Sequence, residues 1–132
     1  MDEKIILKEE SYRIIGACFE VCKEMGSGFL EAVYQECLAL EFAEQGIPFV
    51  EQPSLKLVFK RRPLKKTYDA DFLCFGQIIV EIKATKNVTD DFRAQTINYL
   101  KATGHPLALL VNFGHYPQLE YERFVKQPGY DR

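Results

Sequence analysis

The sequence predicts an α/β sandwich built around a mixed sheet. Three observations carry that prediction. Apolar residues recur at helical spacing in three stretches, they alternate at strand spacing between the second and the third, and they merge into a nearly continuous apolar run from Leu107 to Phe113. A run of that last kind marks a strand covered on both faces. Helices and strands that interleave in this way pack as layers around one core.

The elements follow in order. Tyr12, Ile15, Phe19, Cys22 and Met25 fall at helical spacing and predict an amphipathic helix from about Glu9 to Met25. Gly26-Ser27-Gly28 stops it, since glycine readily takes the left-handed conformation at a helix end. A second helix is expected over about Phe29 to Gln45, with Leu30, Val33, Tyr34, Cys37, Leu38 and Phe42 as its apolar stripe and Gly46 closing it. Leu55, Leu57 and Phe59 then alternate with Lys56, Val58 and Lys60, which predicts a half-buried strand. Arg61-Arg62-Pro63 turns the chain. Thr67 to Phe75 and Ile78 to Ala84 read as two further strands joined at Gly76-Gln77, so an antiparallel meander of three strands is expected. Phe92, Thr96, Tyr99 and Leu100 predict a third helix from about Thr89 to Thr103, ended by Gly104-His105-Pro106. Leu119 to Val125 adds an edge strand.

The 132 residues give one domain, at roughly 150 residues per domain. It is assigned to residues 1–125, with 126–132 as a loose tail. With 47% hydrophobic and 27% charged residues, the composition excludes a disordered or fibrous chain. A net charge of -2 and a pI of about 5.7 argue against a protein that coats nucleic acid by overall basicity, and leave room for a local basic patch. The apolar stretch Ile5-Ile6-Leu7 is too short for a signal peptide, and no run approaches the ~20 residues of a membrane span, so a soluble, cytoplasmic protein without membrane contact is expected. Cys18, Cys22, Cys37 and Cys74 form no C-x-x-C pair and are read as reduced packing residues.

Chemistry is concentrated in Tyr68-Asp69-Ala70-Asp71 and Val80-Glu81-Ile82-Lys83. Side chains alternate along a strand, so Glu81 and Lys83 share a face, and Asp71 lies across a short hairpin from them. Two carboxylates meeting there suit Mg²⁺ or Mn²⁺, because hard cations take oxygen ligands and Mg²⁺ uses one or two carboxylates with waters and a phosphate oxygen. Spacing alone leaves open three charges on a solvated strand. The apolar Ile78-Ile79-Val80 and Ile82 around them argue that the strand is central, where a charge needs a partner. Gln95 and Tyr99 share one helix face, and Glu31 and Tyr34 another. For the two tyrosines, plain core packing stays open. Gln95 also reads as an exposed helix residue, and Glu31 as a carboxylate at the positive end of its helix. Lys56, Lys60, Arg61, Arg62, Lys65 and Lys66 cluster on the first hairpin, which reads either as a solvated turn or as a grip for a phosphate backbone.

Gly28-x-x-Glu31-x-x-Tyr34 resembles the signature of the GxxExxY proteins, a family placed in the PD-(D/E)XK nuclease superfamily. The resemblance runs from about Glu9 to Val125 through Ile14-Ile15-Gly16, Gly26 to Glu31, Val80 to Ala84, Tyr99 to Gly104 and Asn112-Phe113-Gly114. It implies an α-β-β-β-α-β core with an extra N-terminal helix, and a metal-dependent nuclease acting on nucleic acid, with DNA as the expected substrate. It also implies Asp71, Glu81, the Ile82 carbonyl and Glu31 as metal ligands, and Lys83 as the catalytic lysine. Gln95-x-x-x-Tyr99 resembles the Q-x-x-x-Y motif of the RecB-like branch, which helps hold the substrate or the site. Two positions depart from the pattern: Ala70 precedes Asp71 where proline is common, and Cys22 stands where relatives often carry His or Tyr. The competing reading is a nucleic-acid-binding or assembly module that keeps the fold without significant turnover. A homodimer is compatible with either, and nothing in the sequence requires one.

Overall fold

The structure is a computed structural model that describes residues 5–126. Helix α1 (Lys8–Met25) and helix α2 (Glu31–Gln45) come first. Strands β1 (Phe49–Glu51), β2 (Ser54–Phe59), β3 (Arg62–Asp69), β4 (Phe72–Cys74) and β5 (Ile78–Lys83) follow. Helix α3 (Asp90–Thr103) leads to β6 (Leu107–Asn112) and β7 (Glu120–Val125). No helix among the described residues is long and apolar enough to cross a membrane.

Five strands form one sheet in the order β1-β4-β5-β6-β7, and β2 and β3 pair separately as a two-stranded ribbon. Only β5 and β6 run parallel, with α3 as the crossover that a parallel pair requires. The two middle strands explain the apolar runs read from the sequence. Ile78, Val80 and Ile82 face α1 and α2 and pack with Leu107, Leu109 and Val111 against Ile14, Cys18, Tyr34, Leu38 and Phe42. Ile79 faces the other way and packs with Ala108, Leu100, Leu55 and Ala70 under α3 and the ribbon. Glu81 and Lys83 follow Ile79 on that second face by strand alternation. The mixed sheet with three helices is the architecture the sequence predicts.

Four expectations change. The meander does not form, because the expected strand from Thr67 to Phe75 is two strands. β3 ends at Asp69 and pairs with β2, while β4 begins at Phe72 and pairs with β5. Ala70 and Asp71 between them carry the chain from the ribbon into the sheet. Strand β1, unforeseen in the sequence because it is three residues long and only half-buried at Phe49, pairs with the outer side of β4. The buried face of α1 also differs: Ser11, Ile14, Ala17, Cys18 and Val21 are covered, whereas Tyr12 is 80% and Phe19 45% exposed. Apolar residues cover a broad arc of this helix, wider than the sheet can bury, and the small Ala17 and Cys18 let one side of that arc approach the sheet more closely than a Tyr–Phe face would. Tyr12, Ile15 and Phe19 instead line a surface cavity of about 380 Å³ with Tyr121. On α2 the buried line is Tyr34, Leu38 and Phe42, and Leu30 is exposed just ahead of the helix. The tail lies outside the described residues except for Lys126, whose N–H donates to the Pro106 carbonyl.

Two loops fix the ends of the elements that matter most. The Tyr34 hydroxyl donates to the Gly26 carbonyl at 2.5 Å and accepts from the Phe29 N–H at 3.3 Å, while its ring stacks on Phe113 at 4.7 Å. Gly28, at φ +109°, makes the turn between these anchors in a conformation that only glycine adopts easily. Gly28 and Tyr34 therefore set where α2 begins. At the other end, Asn112 is fully buried. Its Oδ1 accepts from the Thr85 and Gly114 N–H groups at 3.0 Å each, and its Nδ2 donates to Glu120, which in turn accepts from Val88. Asn112 thus ties the exit of β5 to β6 and β7.

Gly114 passes so close to Thr85 that an added Cβ would collide with the Thr85 backbone. Gly114→Ala is expected to destabilise the fold by about 1–3 kcal/mol, the usual cost of overpacking. Urea denaturation of the two proteins checks this; equal midpoints would show that the β5 exit can move aside.

Candidate active site

Asp71 sits where the β4–β5 ladder stops. Its carbonyl accepts from the Gln52 N–H at 2.8 Å and from the Gln35 side chain at 3.4 Å, which ties it to the end of β1 and to α2. Its own carboxylate takes over from strand pairing: Oδ2 accepts from the Ile82 N–H at 2.8 Å. Its N–H donates to Glu81 Oε1 at 3.3 Å. The Asp71 and Glu81 carboxylates thus meet beside the last residues of β5. A strand residue sends its N–H and C=O to the same edge, so the Ile82 carbonyl lies on the Asp71 side as well.

Burial is the leading influence on both acids. Glu81, 8% exposed, is pushed up to about 7 by burial and then by the neighbouring Asp71 charge; hydrogen bonds from Tyr68 and the Asp71 backbone and the charge of Lys83 pull the other way. Asp71 is raised by burial and held back by the Ile82 N–H and by Lys83. Glu31 lies at the first turn of α2, exposed but within electrostatic reach: partial desolvation raises it, Lys83 lowers it and Asp71 raises it. Lys83 places its ammonium 4.6 Å from the centre of the Phe92 ring, the first turn of α3, where a cation is attracted to the ring face. Four of the residues named from the sequence, Asp71, Glu81, Lys83 and Glu31, therefore share one electrostatic neighbourhood.

Gln95 and Tyr99 are placed differently from each other. Gln95 is exposed on α3 and makes no side-chain hydrogen bond among the described residues. Tyr99 is half-buried and stacks on Tyr68, ring centres 3.6 Å apart and planes within 8°. Tyr68, part of the stretch singled out in the sequence, was given no role there. Its hydroxyl bonds Glu81, and burial, then the Glu81 charge, drives its own pKa up, so it stays a donor. No local signal marks it: its role rests on Glu81 and Tyr99, both distant in the sequence.

The donor set can be tested against a divalent cation. Two carboxylates crowded in a half-buried place, with one raised by the other's charge, are what a hard cation would relieve. Among the described residues no three His, Cys, Asp or Glu side chains are disposed to hold one ion together. The chain therefore offers two carboxylates and a carbonyl, the few-ligand set that suits an ion sharing its shell with water and phosphate. Glu31 stands as a charged neighbour of that set.

Compared with known families, the chain matches the model described as the PD-(D/E)XK nuclease superfamily over residues 8–124. No curated protein matches it.

The raised Glu81 sets a pH dependence. Its native pKa of about 7 lies above the ordinary value of 4.5, so the fold binds a proton that the unfolded chain releases. Its contribution is complete below about pH 4.5 and lost as pH rises through about 7; Asp71 and Glu31, also raised, act with the same sign. Without metal, the wild type should lose on the order of 2–3 kcal/mol from this group between pH 4.5 and 8. Glu81→Gln should flatten the dependence. Urea midpoints across that range check it, and identical slopes for the two proteins would contradict the assignment.

Proposed function

The chain belongs to the PD-(D/E)XK nuclease superfamily, and from that membership and the site geometry we propose that it is a metal-dependent nuclease hydrolysing DNA phosphodiester bonds. The observation that carries the proposal is the meeting of Asp71 and Glu81 at the end of a central strand, with Lys83 one turn of the pleat further on. Gly28, Glu31 and Tyr34 support placing the chain among the GxxExxY proteins, and Gln95 with Tyr99 support the RecB-like branch.

Asp71, Glu81 and the Ile82 carbonyl would hold Mg²⁺ or Mn²⁺. When bound, such an ion polarises a phosphoryl oxygen and supplies water of lowered pKa. The chain's own residues do the rest. The Ile82 N–H fixes one oxygen of Asp71, and Tyr68 fixes Glu81 from below, so neither carboxylate needs to reorganise. Tyr99 backs Tyr68 through the ring stack. Lys83, braced on Phe92, brings a positive charge to where negative charge builds on the scissile phosphate. Glu31 sets a carboxylate within electrostatic reach of Lys83 and Asp71 at the rim. Gln95, exposed on α3, is free to hydrogen-bond the substrate. Thus Asp71, Glu81 and Lys83 act at the reacting centre, and Glu31, Gln95 and Tyr99 support it.

Two experiments test this. Mg²⁺ or Mn²⁺ at a hundred times its dissociation constant should stabilise the wild type by about 2.7 kcal/mol in a thermal melt. Asp71→Asn, which keeps an oxygen for the Ile82 N–H, should remove the effect; an unchanged wild-type melt at saturating metal sinks the metal site. In cleavage assays on single-stranded, double-stranded and branched DNA and on RNA, Lys83→Ala should lose on the order of 10²–10³ in rate or more. Tyr99→Phe should be only partly impaired, since it keeps the ring that stacks on Tyr68. Binding without cleavage on every substrate would instead assign the chain as a nucleic-acid-binding module.

A further inference from the structure

The β2–β3 ribbon has a composition unlike the rest of the molecule. Residues 54–69 carry six basic side chains and one acidic one, while the remaining residues carry eleven basic and eighteen acidic. A chain of net charge -2 is therefore split into a ribbon of +5 and a body of -7. All six cations, Lys56, Lys60, Arg61, Arg62, Lys65 and Lys66, are exposed, and among the described residues none pairs with a carboxylate. They are not spread along a regular ladder. Pairing passes from Lys56↔Thr67 to Val58↔Pro63, so Lys65 and Lys66 fall in an irregular stretch that turns side chains out of register. At the tip, Phe59 is 56% exposed with the Lys60 ammonium 5.4 Å from its ring centre.

The ribbon is also joined to the candidate site. Its base is the pair of buried Leu55 and half-buried Tyr68, Tyr68 bonds Glu81, and two residues beyond the end of β3 stands Asp71. Its tip lies six residues from Tyr68, roughly 20 Å at the usual strand rise. At about 3.4 Å of rise per nucleotide in a strand, that is a length of roughly six nucleotides.

We propose that the β2–β3 ribbon is a phosphate-backbone grip that holds a nucleic-acid strand leading away from the Asp71–Glu81 site, with Phe59 at the tip as a surface for a base to stack on. The partner class rests on the nuclease reading above; the site itself rests on the segregation of charge, the absence of ionic partners and the junction at Tyr68. Cations on a strand edge can also serve to block edge-to-edge aggregation, and the test separates the two roles.

Binding is measured in EDTA, where no metal-dependent turnover occurs, so a failure of catalysis leaves the measurement intact. Fluorescent single-stranded DNA, double-stranded DNA and single-stranded RNA are titrated with the wild type, with Lys60→Gln/Arg61→Gln/Arg62→Gln, and with the control Lys8→Gln/Lys23→Gln, over a series of KCl concentrations. The ribbon variant should bind weaker than wild type and lose about three from the slope of log affinity against log salt, one per phosphate contact. The control should lose none. Wild-type affinity should fall steeply for oligonucleotides shorter than about six nucleotides. An unchanged slope in the ribbon variant, an equal loss in the control, or no binding of any nucleic acid by the wild type overturns the proposal. So does a ribbon variant that self-associates on size exclusion while keeping its affinity, which would assign the cations to edge protection.

Discussion

The Asp71 carboxylate does the work of a strand. At the point where β4 would have continued alongside β5, the chain turns away, and a side-chain oxygen accepts the Ile82 N–H in place of a backbone carbonyl. A backbone N–H buried without an acceptor is costly, so this bond is what lets the ladder stop in the middle of the sheet. Three consequences follow from it. The edge of β5 beyond Val80 is left open beside two acids. Ala70 and Asp71 become the junction from which the ribbon leaves the sheet. Glu81, opposite the gap, is buried and brought against a second carboxylate, and is raised to about 7 by the burial first and the neighbouring charge second. Fold and site are therefore one construction, because the interruption that makes room for chemistry is held by a group that takes part in it.

That arrangement carries a cost that the rest of the core offsets. Burial acts on Glu81 and Asp71 in the direction that disfavours charge, and the Asp71 charge raises Glu81 further. The surrounding packing is correspondingly unbroken. β5 and β6 are covered on both faces, and Asn112, Thr85, Gly114, Glu120 and Val88 satisfy one another at the end of these strands. A site strained by like charge sits on a scaffold with little freedom to relax around it.

How much of this could be read in the residues differs from element to element. The helices over Glu31–Gln45 and Asp90–Thr103 and the run Leu107–Asn112 were legible because one pattern dominated each: a stripe closed by glycine, or an unbroken apolar strand. The convergence of Asp71, Glu81 and Lys83 followed from strand alternation and a short connection. The buried face of α1 was not legible, since its apolar arc is broader than the sheet can bury and the choice within that arc falls to the small Ala17 and Cys18, which periodicity does not weigh. The break at Ala70 was hidden for a related reason. Thr67 to Phe75 looks continuous in propensity, and only the bond from Ile82 to a side chain, a long-range contact, ends the strand there. Tyr68 escaped with it, because its role appears only once Glu81 and Tyr99 are seen on either side.

The ribbon belongs to neither edge of the main sheet, and its strands share their ladder only with each other. Its base is seated under α3, while the turn at Lys60 and Arg61 is exposed, with both residues at positive φ, and touches nothing in the core. Chain length can therefore change at that turn without altering the register of β4, β5 or β6, since exposed tips absorb insertions and cuts that packed elements do not. The molecule divides into a part of fixed dimensions and a part of adjustable reach. Lengthening or trimming the second is a design variable for what the first can touch.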